Sequence, residues 1–234
     1  AVKYSNLLKR FLPSYSKFLF CNSGAEAIVK TIRLVKAVTN KNLIISVTGS
    51  WHGSVDRTLF SSKKDLKPYE LSSGLSSFSK KNIKFIPYND IFKSKKILDK
   101  NKKKISCILI EPLQASLPQS DIKDYLKFLE KYCKKNNIIL IFDEMVTGIR
   151  FDGKCVQQFY KIKPHITTFG KCFGGGLPIG IIALNKDILK KLDKLKNKVF
   201  FGGTFSGKQL STFTGRKFLE FILKNKKKIY KNIQ

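Results

Sequence analysis

Five short stretches of this 234-residue chain carry residues able to act together. Asn22-Ser23-Gly24-Ala25-Glu26 has the composition of a helix start, where small residues leave backbone N–H groups bare and the helix dipole adds positive potential. Such a turn suits a phosphate, and it reads equally as a plain Ser or Asn cap with Glu26 closing a capping box. Gly49-Ser50-Trp51-His52-Gly53-Ser54 sets the single Trp among glycines. There an indole can lie flat on a planar ring and His52 can donate a hydrogen bond, while a core Trp fits the same residues. Asp143-Glu144 closes an apolar run, and an Asp in that place is costly to desolvate unless it meets a cation. A pyridinium nitrogen, a helix end or a salt bridge would each meet that need. Gly170-Lys171-Cys172-Phe173-Gly174-Gly175-Gly176 puts one lysine between an apolar strand and a triple glycine. That setting is expected to crowd and dry the amine, making it a nucleophile toward carbonyls. Gly202-Gly203-Thr204-Phe205-Ser206-Gly207 offers a second small, hydroxyl-bearing anion cradle before a helix.

Taken in order, a phosphate cradle, a stacking aromatic, an acid for a ring nitrogen and a Schiff-base lysine are the parts of a pyridoxal site. The elements that must position them are legible as apolar runs. Lys17–Cys21, Leu43–Val47, Ile83–Pro87, Ile105–Ile110, Ile138–Phe142 and Ile166–Phe169 read as strands. Helical spacing relates Ile28, Ile32 and Val35 within Ala25–Val38, and Ile122, Leu126, Leu129 and Cys133 within Asp121–Lys135. A last helix, Gly207–Leu223, is expected to bury Leu210, Phe213, Phe218 and Phe221. Strands this uniformly apolar predict a sheet buried on both faces, hence a mostly parallel α/β fold whose ligands sit at the carboxyl ends of the strands. Ser61–Ser79, rich in Ser and Lys, reads as a surface loop.

The formal net charge of +30 is mostly lysine, with arginine only at positions 10, 33, 57, 150 and 216. Specific phosphate and base recognition recruits arginine, so the scattered lysines predict no specific nucleic-acid binding and fit a compositional bias toward Lys, Asn and Ile. Cys21, Cys107, Cys133, Cys155 and Cys172 form no CxxC pair, which argues against a disulfide framework or a zinc site and for a reducing cytoplasm. No apolar run approaches the roughly 20 residues of a membrane span, and the opening residues carry no secretory signal.

The runs FCNSGAEA, GSWHGS, IEP, IILIFDEMVTGIR, TTFGKCFGGGLPIG and GGTFSG, in this order, resemble the class III aminotransferases. They lie nearest to the glutamate-1-semialdehyde 2,1-aminomutases. The resemblance spans about Phe20 to Leu223. It implies a three-layer αβα, fold type I large domain around a mostly parallel seven-stranded sheet, with Ile179–Leu184 as the antiparallel strand. It implies pyridoxal 5'-phosphate as cofactor, a small amino or carbonyl substrate, and a homodimer with its site at the subunit interface. Ser23, Gly24 and Ala25 would hold the phosphate, Trp51 would stack on the ring with His52 beside it, and Glu111 of the IEP run would join the cofactor site. Asp143 would bind the pyridine nitrogen, Met145 would pack on the opposite face, and Lys171 would carry the cofactor as an aldimine. Thr204 would reach the phosphate of the neighbouring subunit. Residues 1–16 are expected as a lead-in, 17–223 as the cofactor domain and 224–234 as a basic tail, with the family's N-terminal segment and C-terminal small domain missing. Ala25 for Thr, Trp51 for Tyr or Phe, Met145 for Val and Gln114-Ala115-Ser116 depart from the aminomutase pattern. The alternatives to intermolecular amino transfer are aminomutase activity and an inactive cofactor-binding or dimerisation fragment.

Overall fold

The computed structural model describes residues 1–232. The chain runs α1 (Val2–Phe11), β1 (Lys17–Cys21), α2 (Gly24–Thr39), β2 (Leu43–Val47), β3 (Phe60–Ser62), β4 (Pro68–Glu70), α3 (Ser77–Lys81), β5 (Ile83–Ile86) and α4 (Ile91–Asn101). It continues with β6 (Ile105–Ile110), α5 (Lys123–Asn136), β7 (Ile139–Asp143), α6 (Val156–Phe159), β8 (Ile166–Gly170), β9 (Gly180–Leu184), α7 (Lys186–Asp193) and α8 (Gln209–Lys231). Seven strands form one sheet in the order β1-β9-β8-β7-β6-β2-β5. Strand β9 runs antiparallel to both β1 and β8, while the other neighbours pair in parallel. Sheet and reversed strand are as expected.

Alternation along each strand divides the core between the two faces. On β7, Leu140 and Phe142 pack with Tyr125, Leu126 and Leu129 of α5. Ile139 and Ile141 pack on the other side with Ile28, Ile32 and Val35 of α2. A third cluster joins Tyr4, Leu7 and Leu8 of α1 to Phe169, Ile181 and Leu219, so the expected lead-in contributes a helix to the core. Helix α2 starts on Ser23, whose hydroxyl accepts the Glu26 N–H, and stops at Asn40 in the left-handed conformation (φ 52°).

Three expectations are corrected here. Ser61–Ser79 is not a plain loop: β3 and β4 form a hairpin, and α3 begins at Ser77. Its anchor, Phe60, lies just before the stretch and packs with Ile83 and Phe85, so the polar composition hid it. Helix α8 turns a different face inward: Leu210, Phe213 and Phe221 are 55%, 51% and 58% exposed, while Thr212, Gly215, Leu219 and Ile222 are buried. The cause is a close approach that only glycine permits. A Cβ on Gly215 would stand 2.0 Å from the carbonyl oxygen of Phe173. The helix also continues through 224–231, where a tail was expected; residues 233–234 of that tail lie outside the described residues.

Gly215→Ala separates the two orientations by the sign of its effect. In a solvent-facing helix position the change gains up to about 1 kcal/mol. Here the clash with Phe173 is expected to cost about 1–3 kcal/mol, read as a lower denaturant midpoint.

Candidate active site

A cavity of about 420 Å³ opens where β2, β6, β7 and β8 end and α2 begins. Gly24, Ala25, Trp51, His52, Glu111, Asp143, Met145 and Lys171 all line it. Ser23, expected beside them, does not, and neither does Thr204, which was expected to serve the neighbouring subunit's site. The Ser23 hydroxyl caps α2, and the Asn22 N–H donates to Glu26 Oε2 at 2.6 Å, so this part of the motif is the capping box. What remains for an anion is the first turn itself, where the N–H groups of Gly24 and Ala25 have no partner within the helix. Thr204 is exposed on the turn before α8.

Asp143 closes β7 on the cavity floor and is buried. Its Oδ2 lies 2.8 Å from His52 Nδ1, and its Oδ1 accepts from the Met145 N–H at 3.2 Å and the Thr168 hydroxyl at 3.4 Å. A carboxylate only accepts, so Nδ1 carries the hydrogen in this pair. His52 is thus the orienting partner of Asp143, rather than only a neighbour of a ring. Its Nε2 is buried and has no partner among the described residues.

Trp51 is 54% exposed at the cavity rim, which rules out the core reading of the indole. The Trp51 backbone N–H donates to Glu111 Oε1 at 2.7 Å. Burial pushes the Glu111 carboxyl above the usual carboxylate range, against the pull of that N–H. Met145 fills a slot made by two glycines: a Cβ on Gly24 or Gly170 would stand 2.8 or 2.7 Å from its sulfur.

Lys171 follows β8 directly and has φ 46°, a left-handed conformation that a lysine adopts at a cost of roughly 1–3 kcal/mol. Its side chain is exposed, so the dry setting expected from the flanking residues is corrected. The glycines after it do not wall it in. Gly175 and Gly176 instead take positive φ, and a Cβ on Gly175 would meet the carbonyl of Thr214 on α8 at 2.6 Å.

Two contributors were missed in the sequence. Glu144 follows Asp143 and, by the period of a strand, faces away from it. It is fully buried and accepts from the Val156 N–H at 2.8 Å, the Gln157 N–H at 3.0 Å and the Thr147 hydroxyl at 3.0 Å. Adjacent acids at a buried strand end were the available signal. Gln114, on the loop after β6, is the other, and only its unusual place in the motif marked it.

This arrangement defines a fold type I transferase domain, with acid, lysine and helix start converging on one cavity. The chain belongs to the class-III aminotransferase family, whose description, "Aminotransferase class-III", matches residues 1–234. It is 34% identical over 230 residues to the glutamate-1-semialdehyde 2,1-aminomutase of Archaeoglobus fulgidus, covering 96% of this chain and 54% of that protein. With the enzyme of the same name from Wigglesworthia glossinidia brevipalpis it is 37% identical, covering 94% and 52%. The chain therefore spans about half the length of the curated relatives it matches. Among solved structures, an omega-transaminase from Sphaerobacter thermophilus superposes with a TM-score of 0.86 at 24% identity, covering 94% of this chain and 53% of that one. A structure described as a transaminase with PLP bound gives 0.85 at 24% identity, with the same coverage. Both establish the fold. No helix among the described residues is long and apolar enough to cross a membrane.

Burial pushes the Glu144 carboxyl up from 4.5 to about 7. The folded chain then holds this proton more tightly than the unfolded chain does. Its contribution to stability is complete below about pH 4.5 and is lost as pH rises through about 7. The stability of the wild-type chain relative to Glu144→Gln is expected to fall by about 3 kcal/mol across that window, measured by denaturant unfolding at several pH values. A pH-independent difference contradicts this.

Proposed function

We propose that this chain is the cofactor domain of a pyridoxal-phosphate-dependent aminotransferase, moving an amino group between an amine donor and a carbonyl acceptor. One observation carries the reading: Asp143, buried and oriented by His52, faces the same cavity as Lys171. An acid there, already met by His52, Met145 and Thr168, suits the protonated nitrogen of a pyridine ring. The residues fit the cofactor in the remaining respects as well. The first turn of α2 offers N–H groups to a phosphate, Trp51 offers an aromatic surface, and Met145 offers an apolar one.

When bound, pyridoxal phosphate supplies a carbonyl carbon for the amine and a ring that accepts electron density. Lys171 would hold the cofactor through that carbon, and its freed amine would serve as the base for the proton on the carbon beside the substrate's amino group. The same amine would hand that proton back on the cofactor side. Asp143 would keep a proton on the ring nitrogen, with His52 orienting its carboxylate. Gly24 and Ala25 would hold the phosphate, and Trp51 and Met145 would cover opposite faces of the ring.

The relatives named as glutamate-1-semialdehyde 2,1-aminomutases, at 34% and 37% identity, favour a second reading in which the amino group moves within one substrate. The two differ in need: an aminomutase turns over without an added carbonyl acceptor. For the partner, we propose a second copy of this chain, its Thr204 completing the phosphate site. The outward Phe205, Leu210, Phe213 and Phe221 give such a copy an apolar surface to cover.

The test is borohydride reduction after incubation with pyridoxal phosphate, followed by peptide mapping. The cofactor mass is expected on Lys171 in preference to the other lysines, and to vanish from the cavity in Lys171→Ala. Modification spread evenly over surface lysines would overturn the cofactor assignment and favour the inactive-fragment reading. Sedimentation of the same sample is expected to give a dimer; a monomer overturns the assembly alone.

A further inference from the structure

The loop after β2 carries both Trp51 and His52, and its far end is tied by His52 to Asp143 and by the Trp51 backbone N–H to Glu111. Its near end is held from the loop after β6. Gln114, on the loop after β6, is only 1% exposed. Its Nε2 donates to the Thr48 carbonyl at 2.7 Å and to Ser50 Oγ at 3.1 Å. Its own N–H donates to the Tyr88 hydroxyl at 3.4 Å, while the Tyr88 N–H donates to Thr48 Oγ1 at 3.1 Å. Gln114 therefore grips the two residues flanking Gly49, immediately before Trp51.

Two features make this grip specific. The Thr48 carbonyl can only accept, which forces the NH₂ side of the amide toward it. The other end, Oε1, is then buried with no partner among the described residues. Leaving a buried acceptor unmet is costly, and an apolar side chain of the same size would avoid the cost. Gly49, at φ 81°, is the complementary surface: a Cβ there would stand 2.9 Å from Gln114 Oε1. A buried amide that carries an unmet oxygen at a loop junction is poorly explained by packing alone. It is explained by what the donated bonds hold.

We infer that Gln114 is a positioning residue, clamping the loop after β2 so that Trp51 lies over the cofactor ring. This deepens the reading of the cavity as a pyridoxal-phosphate site and rests on it. Gln114 does not line the cavity; it acts through Thr48 and Ser50.

Trp51 is the only Trp of the chain, so its emission reports on this loop directly. Gln114→Met keeps most of the volume and removes the donors. Compared with wild type, it is expected to show faster local depolarisation of Trp51 fluorescence. Its affinity for pyridoxal phosphate, read from quenching of that emission, is expected to be about tenfold weaker. Capture at Lys171 by borohydride at saturating cofactor is retained. Gly49→Ala approaches the clamp from the opposite side and is expected to give the same pair of changes, which covers the case where Gln114→Met does not fold. Wild-type depolarisation or wild-type affinity in the folded variants overturns the inference. If wild type itself neither quenches nor captures the cofactor, the functional reading fails instead, so the two failures are distinguishable.

Discussion

A carboxylate can be buried at the mouth of a sheet only if donors converge on it, and the site is organised around meeting that condition for Asp143. Three donors do so: the imidazole of His52, the N–H of Met145 and the hydroxyl of Thr168. They come from the loop after β2, from the turn after β7 and from β8. Strand β7 lies between β6 and β8, so the acid is met from across the sheet and not from one neighbour. Each contact also sets another group. His52 brings Trp51 with it, and Met145 brings its sulfur into the slot between Gly24 and Gly170.

The strand period explains how one dipeptide serves two purposes. Asp143 faces the cavity, while Glu144 faces inward and ties the turn at Thr147 to the start of α6. The residues that close the back of the site are thus fixed by a second carboxylate which never meets a ligand. Glycine supplies the remaining precision. At Gly24, Gly170 and Gly215 the missing Cβ lets a sulfur or a carbonyl approach closely, so small residues set the distances between elements.

Much of this was legible in the sequence because the sheet is buried on both faces. Runs such as ISCILI at 105–110 have no polar face to hide, and their carboxyl ends had to be where chemistry sits. Asp143, His52, Glu111 and Met145 line one cavity. The errors have physical causes. Periodicity alone cannot say which apolar face of α8 turns inward, because Gly215, which decides it, contributes no hydrophobicity. Proximity in sequence to an apolar strand suggested a dry Lys171, yet a residue at a strand end leaves the sheet at once. Ser23 satisfied two descriptions of the same turn, and its side chain follows the capping one. Gln114 was beyond reach, since its partners at Thr48 and Ser50 are more than sixty residues away in sequence.

The most direct test of the account is a crystal structure of the chain grown with pyridoxal phosphate. The account predicts the ring nitrogen about 2.7–3.0 Å from an Asp143 carboxylate oxygen, with His52 still on the other, and density continuous from the cofactor to Lys171 Nζ. A cofactor bound with its ring nitrogen away from Asp143, or bound outside this cavity, would contradict it.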